Sequence, residues 1–319
     1  MIERQTGDVY GWPEGQKVLE FGITNKCNLY CPPCPRTGKD YDKISDLSYD
    51  DYEELLFTNH KEFKNQVVKF CGNFGDPLSH PEIEKFINLS NKIFDSVQIN
   101  TNGSLRNARW FKRVFSNNEK LTFKFGLDGV DHETNIKYRI NSNFDKVMTH
   151  IKTCAKIDSF RVYWDFTIFN FNKHQKEKAM QIAKELNIHL QLRENSTMWE
   201  YEKNNIEIKY EQKPIKKDNN PKNIHCRFYD YNAEEFLNLQ VDAEMKLLPC
   251  CYMVIHSYQD SDFQMPFEND LHKISYDTAV KKINTYFNKK TWKETGAHKS
   301  CIQLCTKNSN DIGQNGPDY

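Results

Sequence analysis

An α/β fold on six parallel strands is what this sequence predicts, and three observations carry that reading. Short apolar runs alternate with helical patterns from Val18 to about Leu192. Strand–helix alternation of this kind implies parallel strands joined by right-handed crossovers. Six such units fall short of the eight in a closed barrel, so an open, partial barrel or a wound sheet is expected. In either case the working residues lie just past the strand C-termini.

The strands are read from "VLEFGI" (18–23), "VVKFCG" (67–72), "SVQIN" (96–100), "LTFKFGL" (121–127), "FRVYWDFTIF" (160–169) and "IHLQL" (188–192). Between them lie "YDDYEELLFTNHKEF", "HPEIEKFINLSNKIF", "ARWFKRVF", "FDKVMTHIKTCAKI" and "KHQKEKAMQIAKEL". In the fourth of these, Phe144, Val147, Met148, Ile151, Cys154 and Ile157 form one apolar helical stripe. The pattern fails over 201–223, which is charged, Asn-rich and broken by two prolines, and reads as a linker or long loop. Beyond it, Leu237, Leu239 and Val241 alternate with polar residues, "DAE" turns the chain, and a second apolar run ends at Cys250. That is a hairpin carrying thiols. The domain organisation expected is thus 1–200, a linker at 201–223, and a smaller unit at 224–319.

Lys+Arg and Asp+Glu are equal at 44 each, so no global field draws in nucleic acid or an anionic membrane. The first fifteen residues lack an apolar signal core and no run reaches membrane-spanning length, so a cytoplasmic protein is expected. Ten cysteines in such a chain point to metal binding or catalysis rather than disulfides. Cys27, Cys31 and Cys34 cluster early; Cys226, Cys250, Cys251, Cys301 and Cys305 fall in the last hundred residues.

"CNLYCPPC" (27–34) follows directly on the first strand. A structural zinc site closes with four protein ligands, and an iron–sulfur cube normally takes four thiolates. Three thiols leave one metal position free for a chelating ligand.

This CxxxCxxC loop resembles the signature of the radical S-adenosylmethionine (radical SAM) superfamily. The resemblance implies a partial (β/α)6 barrel and a [4Fe–4S] cluster on Cys27, Cys31 and Cys34. S-adenosylmethionine (SAM) would chelate the open iron and be cleaved reductively to a 5′-deoxyadenosyl radical that abstracts a substrate hydrogen. "GNFGDPLSHPEI" after the second strand resembles the family's Gly-Gly-Glu-Pro loop, with Gly75, Asp76 and Pro77 matching and Phe74 in place of the first glycine. "NTNG" (100–103) resembles the family's turn after the third strand and carries Asn102. "GLDG" (126–129) stands where relatives place polar groups on SAM, which implies Asp128, with Arg139 as a second contact. A flavodoxin- or ferredoxin-type electron donor is implied as well.

The late cysteines admit three readings: scattered core thiols, a structural zinc site, or a second cluster. Their arrangement resembles the C-terminal twitch and SPASM modules of radical SAM enzymes, which implies an auxiliary [4Fe–4S] cluster on Cys226, Cys250, Cys301 and Cys305. His225 and His298 stand beside that set. Cys154, on the helical stripe, reads as core. Cys71, Arg193 and Glu194, at the ends of the second and sixth strands, are the candidates to face substrate. Only about 17 residues precede the first strand, and the expected substrate is a small molecule or a short peptide. The rival from another class is a non-catalytic iron–sulfur or zinc-binding electron-transfer protein.

Overall fold

The computed structural model describes residues 16–32, 34, 36, 46–72, 74–194, 233, 235–250, 253, 254, 257 and 264–287, with backbone pairing alone at 200–201, 208–209 and 229–230. Six parallel strands form where the apolar runs fall. They are β1 (Val18–Phe21), β2 (Val67–Phe70), β3 (Ser96–Thr101), β4 (Leu121–Gly126), β5 (Val162–Ile168) and β6 (His189–Glu194). The main crossovers carry α1 (Tyr49–Thr58), α2 (His60–Phe63), α3 (Ile83–Ile93), α4 (Ala108–Asn117), α5 (His132–Asn135), α6 (Phe144–Asp158) and α7 (Lys176–Glu185). Short polar residues set where these helices begin. Ser48, Asn107, Asp131 and Asn143 each accept a backbone N–H from the first turn that would otherwise lack a partner.

Strand neighbours run in sequence order from β1 to β6, and the sheet does not close. One residue set of each strand faces the helices. Leu19, Phe21, Val68, Phe70, Val97, Ile99, Phe123, Phe125, Trp164 and Phe166 join Tyr52, Phe86, Phe111 and Ile151 in a single buried core. The rings of Phe21 and Tyr52 meet edge-on at 4.9 Å, and those of Phe111 and Phe123 at 5.1 Å, a geometry that adds to simple burial. Because side chains alternate across a strand, the opposite set faces the barrel interior. That set is polar: Glu20, Lys69, Gln98, Lys124 and Asp165 belong to it.

The stretch over 201–223 contains part of a two-residue ladder, β7 (Glu200–Tyr201) with β8 (Ile208–Lys209). A second small ladder pairs β9 (Tyr229–Asp230) with β10 (Glu235–Phe236). The thiol-bearing hairpin is present as β11 (Asn238–Val241) and β12 (Leu247–Leu248), antiparallel to each other. It lies on the same sheet, since β11 pairs in parallel with β1 from Val18↔Asn238 to Phe21↔Val241. The order is therefore β12-β11-β1-β2-β3-β4-β5-β6. Then α8 (Tyr276–Tyr286), capped by Ser275, packs Tyr276, Ala279 and Ile283 into the core. No described helix is long and apolar enough to cross a membrane.

Candidate functional site

Three loops meet the cysteine loop at the C-terminal rim of the sheet, and Asp76 fastens the first two, those after β2 and β3, to it. Its amide donates to the carbonyl of Lys26, the residue before Cys27, at 2.8 Å. Its carboxylate accepts from Leu78 N at 2.9 Å, from Thr101 Oγ1 at 2.9 Å and from Asn102 N at 2.7 Å. Burial pushes its pKa up, against those donors. Gly75 makes the approach possible: a Cβ there would sit 2.3 Å from the Thr24 carbonyl and 2.8 Å from that of Lys26. Pro77 opens the short 3-10 turn that follows. Gly75, Asp76 and Pro77 thus press the loop after β2 onto the segment leading into Cys27.

Asn102 reaches the cysteine loop from β3. Its Nδ2 donates to Asn28 Oδ1 at 3.1 Å and lies 3.6 Å from Cys27 Sγ. Burial, with Asp76 next in effect, pushes the Cys27 thiol up to about 11. From the β4 side comes an ion pair. Asp128 is fully buried; its Oδ2 accepts from Arg139 Nε at 2.7 Å and its Oδ1 from Thr167 N at 2.7 Å. Arg139 also hydrogen-bonds to Cys31. Burial works against the Arg139 charge, but Asp128 and the Cys31 sulfur outweigh it and hold the pKa well above its ordinary value. Gly126 leaves the room, since a Cβ there would come within 2.7 Å of Arg139 Nη2.

Cys27, Cys31 and Cys34 sit on this one loop, with Cys34 N donating to Cys31 O at 3.0 Å. Among the described residues no three His, Cys, Asp or Glu side chains are gathered closely enough to hold a metal ion. Burial raises the pKa of Cys27 and of Cys31, Cys31 adding to the first and Cys34 to the second, and ligation is what removes such protons. The donor set nonetheless fits a thiolate-bound cluster. Three soft sulfurs share one loop, and Asn102 and Arg139 stand ready as donors to two of them, the kind of outer contact that tunes such a group.

Cys71 lies just past β2 on the interior face; its Sγ is 3.8 Å from Asn100 Nδ2, and burial raises it to about 11. Arg193 pairs with Asp165 through Nε at 2.7 Å, both half-buried. Glu194 ends β6. Cys250 follows β12 and packs partly buried against the core. Cys226, Cys251, Cys301, Cys305, His225 and His298 lie outside the described residues, as does Pro33. Cys154 is core, as its stripe predicts.

Several site residues escaped the sequence reading. Arg36 donates to Leu29 O at 2.8 Å and braces the cysteine loop; an arginine two places past a cysteine carries no signal by itself. Asn135 accepts the Asp128 N–H at 2.9 Å, again without a sequence cue. Lys124 and Asp165 did leave a signal, one charge inside each otherwise apolar strand.

Comparison with known proteins identifies the family and the fold. The family model described as the radical SAM superfamily matches residues 21–186, just over half of the chain. A curated relative from Methanocaldococcus jannaschii, 7,8-dihydro-6-hydroxymethylpterin dimethyltransferase, is 25% identical over 143 residues, which cover 44% of this chain and 28% of that protein. The chain thus spans about a quarter of that relative's length. Among solved structures, Streptococcus suis SuiB superposes with a TM-score of 0.64 at 14% identity, over 95% of this chain and 76% of that one. Native anSMEcpe with bound AdoMet and Cp18Cys peptide gives 0.58 at 18% identity, over 90% and 87%. At these identities the solved structures establish the fold, the unclosed parallel barrel.

Proposed function

The chain belongs to the radical SAM superfamily, and from that premise we propose that it reductively cleaves SAM and abstracts a hydrogen from a small molecule or short peptide. The observation that carries this is the convergence of Asp76, Asn102 and the Asp128–Arg139 pair on a three-thiol loop at the sheet's C-terminal rim.

In this reading Cys27, Cys31 and Cys34 hold a [4Fe–4S] cluster. When bound, it supplies an open iron for the amino and carboxylate groups of SAM and the electron that splits the sulfonium into methionine and a 5′-deoxyadenosyl radical. The chain's own residues do the rest by placement. Asp76 holds the backbone of residues 74–76 beside the cysteine loop, where an amino group can meet its carbonyls. Arg139 is 23% exposed and permanently charged, so it offers its guanidinium to a carboxylate while Asp128 fixes its direction. The polar interior beneath receives the substrate.

The reading extends to a second cluster on Cys226, Cys250, Cys301 and Cys305, able to accept an electron from a substrate radical and make the net reaction oxidative. Support comes from Cys250 standing at the end of a hairpin that shares the barrel sheet. SuiB has been solved bound to a precursor peptide, which keeps peptides beside small molecules as the substrate class here. The electron donor in this reading is of the flavodoxin or ferredoxin type, and the setting is the cytoplasm.

Anaerobic reconstitution tests it. The full chain should hold about eight irons, given two four-iron clusters. Changing Cys27, Cys31 and Cys34 together to Ala should remove half and abolish 5′-deoxyadenosine formation from SAM under reduction. Undiminished iron and sulfide in the triple variant would reject the first cluster. Zinc in place of iron there, by elemental analysis and Mössbauer spectroscopy, would reject the second.

A further inference from the structure

Lys124 occupies the inward position of β4 between Phe123 and Phe125, which face the helices. It is 2% exposed, and among the described residues its Nζ meets no hydrogen-bond acceptor. Buried ammonium groups are ordinarily paired, because the lost hydration is otherwise uncompensated. The other charges along this wall have partners: Glu20 with Lys69 at 2.7 Å and Asp165 with Arg193 at 2.7 Å. The groups that act most strongly on the Lys124 charge are Asp165, Arg193, Lys69 and Cys71. Of these, Asp165 is already bonded to Arg193 and Lys69 to Glu20, and burial raises the Cys71 thiol's pKa. One positive charge is left over. Burial lowers the Lys124 pKa to about 8, so the ammonium form still dominates at neutral pH.

The position suits a ligand. Asn100 is its register partner on β3, with Cys71 next in the same row. Asp165 and Arg193, half-buried, stand one and two inward rows nearer the strand C-termini, on the way to the cysteine loop. We propose that the barrel interior takes a substrate bearing an oxyanion, a carboxylate or a phosphate, and that Lys124 is its counter-ion. This rests on the radical SAM reading above, which puts the substrate in that interior, and deepens it by naming the substrate's charge.

The test uses the full chain, anaerobically reconstituted and with SAM present, at constant ionic strength set with chloride. Melting is followed with sodium acetate, inorganic phosphate or neutral acetamide. Acetate or phosphate should raise the wild-type Tm by about 3 °C at ten times its Kd, and acetamide should not. Whichever anion acts tells a carboxylate from a phosphate. Lys124→Met and Lys124→Gln should lose the rise while melting no lower than wild type without added anion, since each removes an unpaired buried charge. Lys124→Arg keeps the charge and should keep the rise, and it decides the matter if the neutral variants do not fold. No rise in wild type with either anion, an equal rise in the neutral variants, or its loss in Lys124→Arg overturns the assignment. 5′-Deoxyadenosine measured in the same preparation separates the readings. Its formation without an anion response removes only the counter-ion; its absence removes the parent reading.

Discussion

Asp128 has no surface open to a ligand. Both its carboxylate oxygens are taken, by Arg139 Nε and by the Thr167 amide, and its own carbonyl accepts from Asn172 Nδ2 at 3.0 Å. In the proposed function its part is to orient Arg139, which keeps one side toward Cys31 and the rim. Asp128→Asn should therefore lower stability by about 3 kcal/mol, the usual consequence of leaving one member of a buried pair alone. Arg139→Lys keeps the charge but loses the planar fork, and should weaken SAM binding about tenfold with iron content intact. Urea unfolding of the first variant and calorimetric SAM titration of the second check this. Unchanged SAM affinity in Arg139→Lys would remove the carboxylate contact. At this scale the spacing of Cys27, Cys31 and Cys34 and the turn residues Asn102 and Asp128 were legible, because turn chemistry is local. Which partner each side chain takes was not, since Asp76 to Asn102 and Asp128 to Thr167 are contacts across strands.

At the scale of elements, apolar runs and helical periods placed the helices and strands closely. The charges inside "VLEF", "VVKF", "FKF" and "WDF" were visible too, one per strand, yet their pairing depends on register, which a single strand does not encode. The β11–β12 turn offers a test of such a hidden charge. Asp242 is buried, and its Oδ1 accepts from the amides of Glu244 and Lys246, each at 2.9 Å. Burial raises its pKa to about 6. A carboxyl raised in the folded state favours folding below the unfolded pKa, and that contribution is lost as pH rises toward 6. Asp242→Asn keeps an acceptor for both amides without the charge. It should be more stable than wild type at pH 7.5, by up to about 3 kcal/mol, with the gain shrinking toward zero at pH 4. Urea midpoints at the two pH values measure it, and a gain independent of pH would mean the carboxyl is not what titrates.

For the whole molecule, the sequence order β1 to β6 suggests a self-contained barrel followed by a separate C-terminal unit. The sheet tells of a closer dependence. The backbone of β1 gives its outer edge to β11, with Val18 N donating to Leu237 O at 2.7 Å and Gly22 N to Val241 O at 2.9 Å. A contact spanning more than two hundred residues leaves no trace in local pattern, which is why the reading stopped at a hairpin. The strand so covered is the one that carries Cys27 at its end. In a chain ending at residue 200, β1 becomes an exposed, flat edge of Val18, Leu19 and Phe21 with unpaired amides and carbonyls, the arrangement that invites association between molecules. Leu239, Val241, Leu247 and Leu248 would also leave the core. Such a chain should aggregate, or recover less than half of the four irons expected on Cys27, Cys31 and Cys34, when measured by soluble yield, light scattering and iron per chain. A soluble monomer with a full first cluster would show instead that β1 needs no neighbour on that side, and that the hairpin serves the second cysteine set alone.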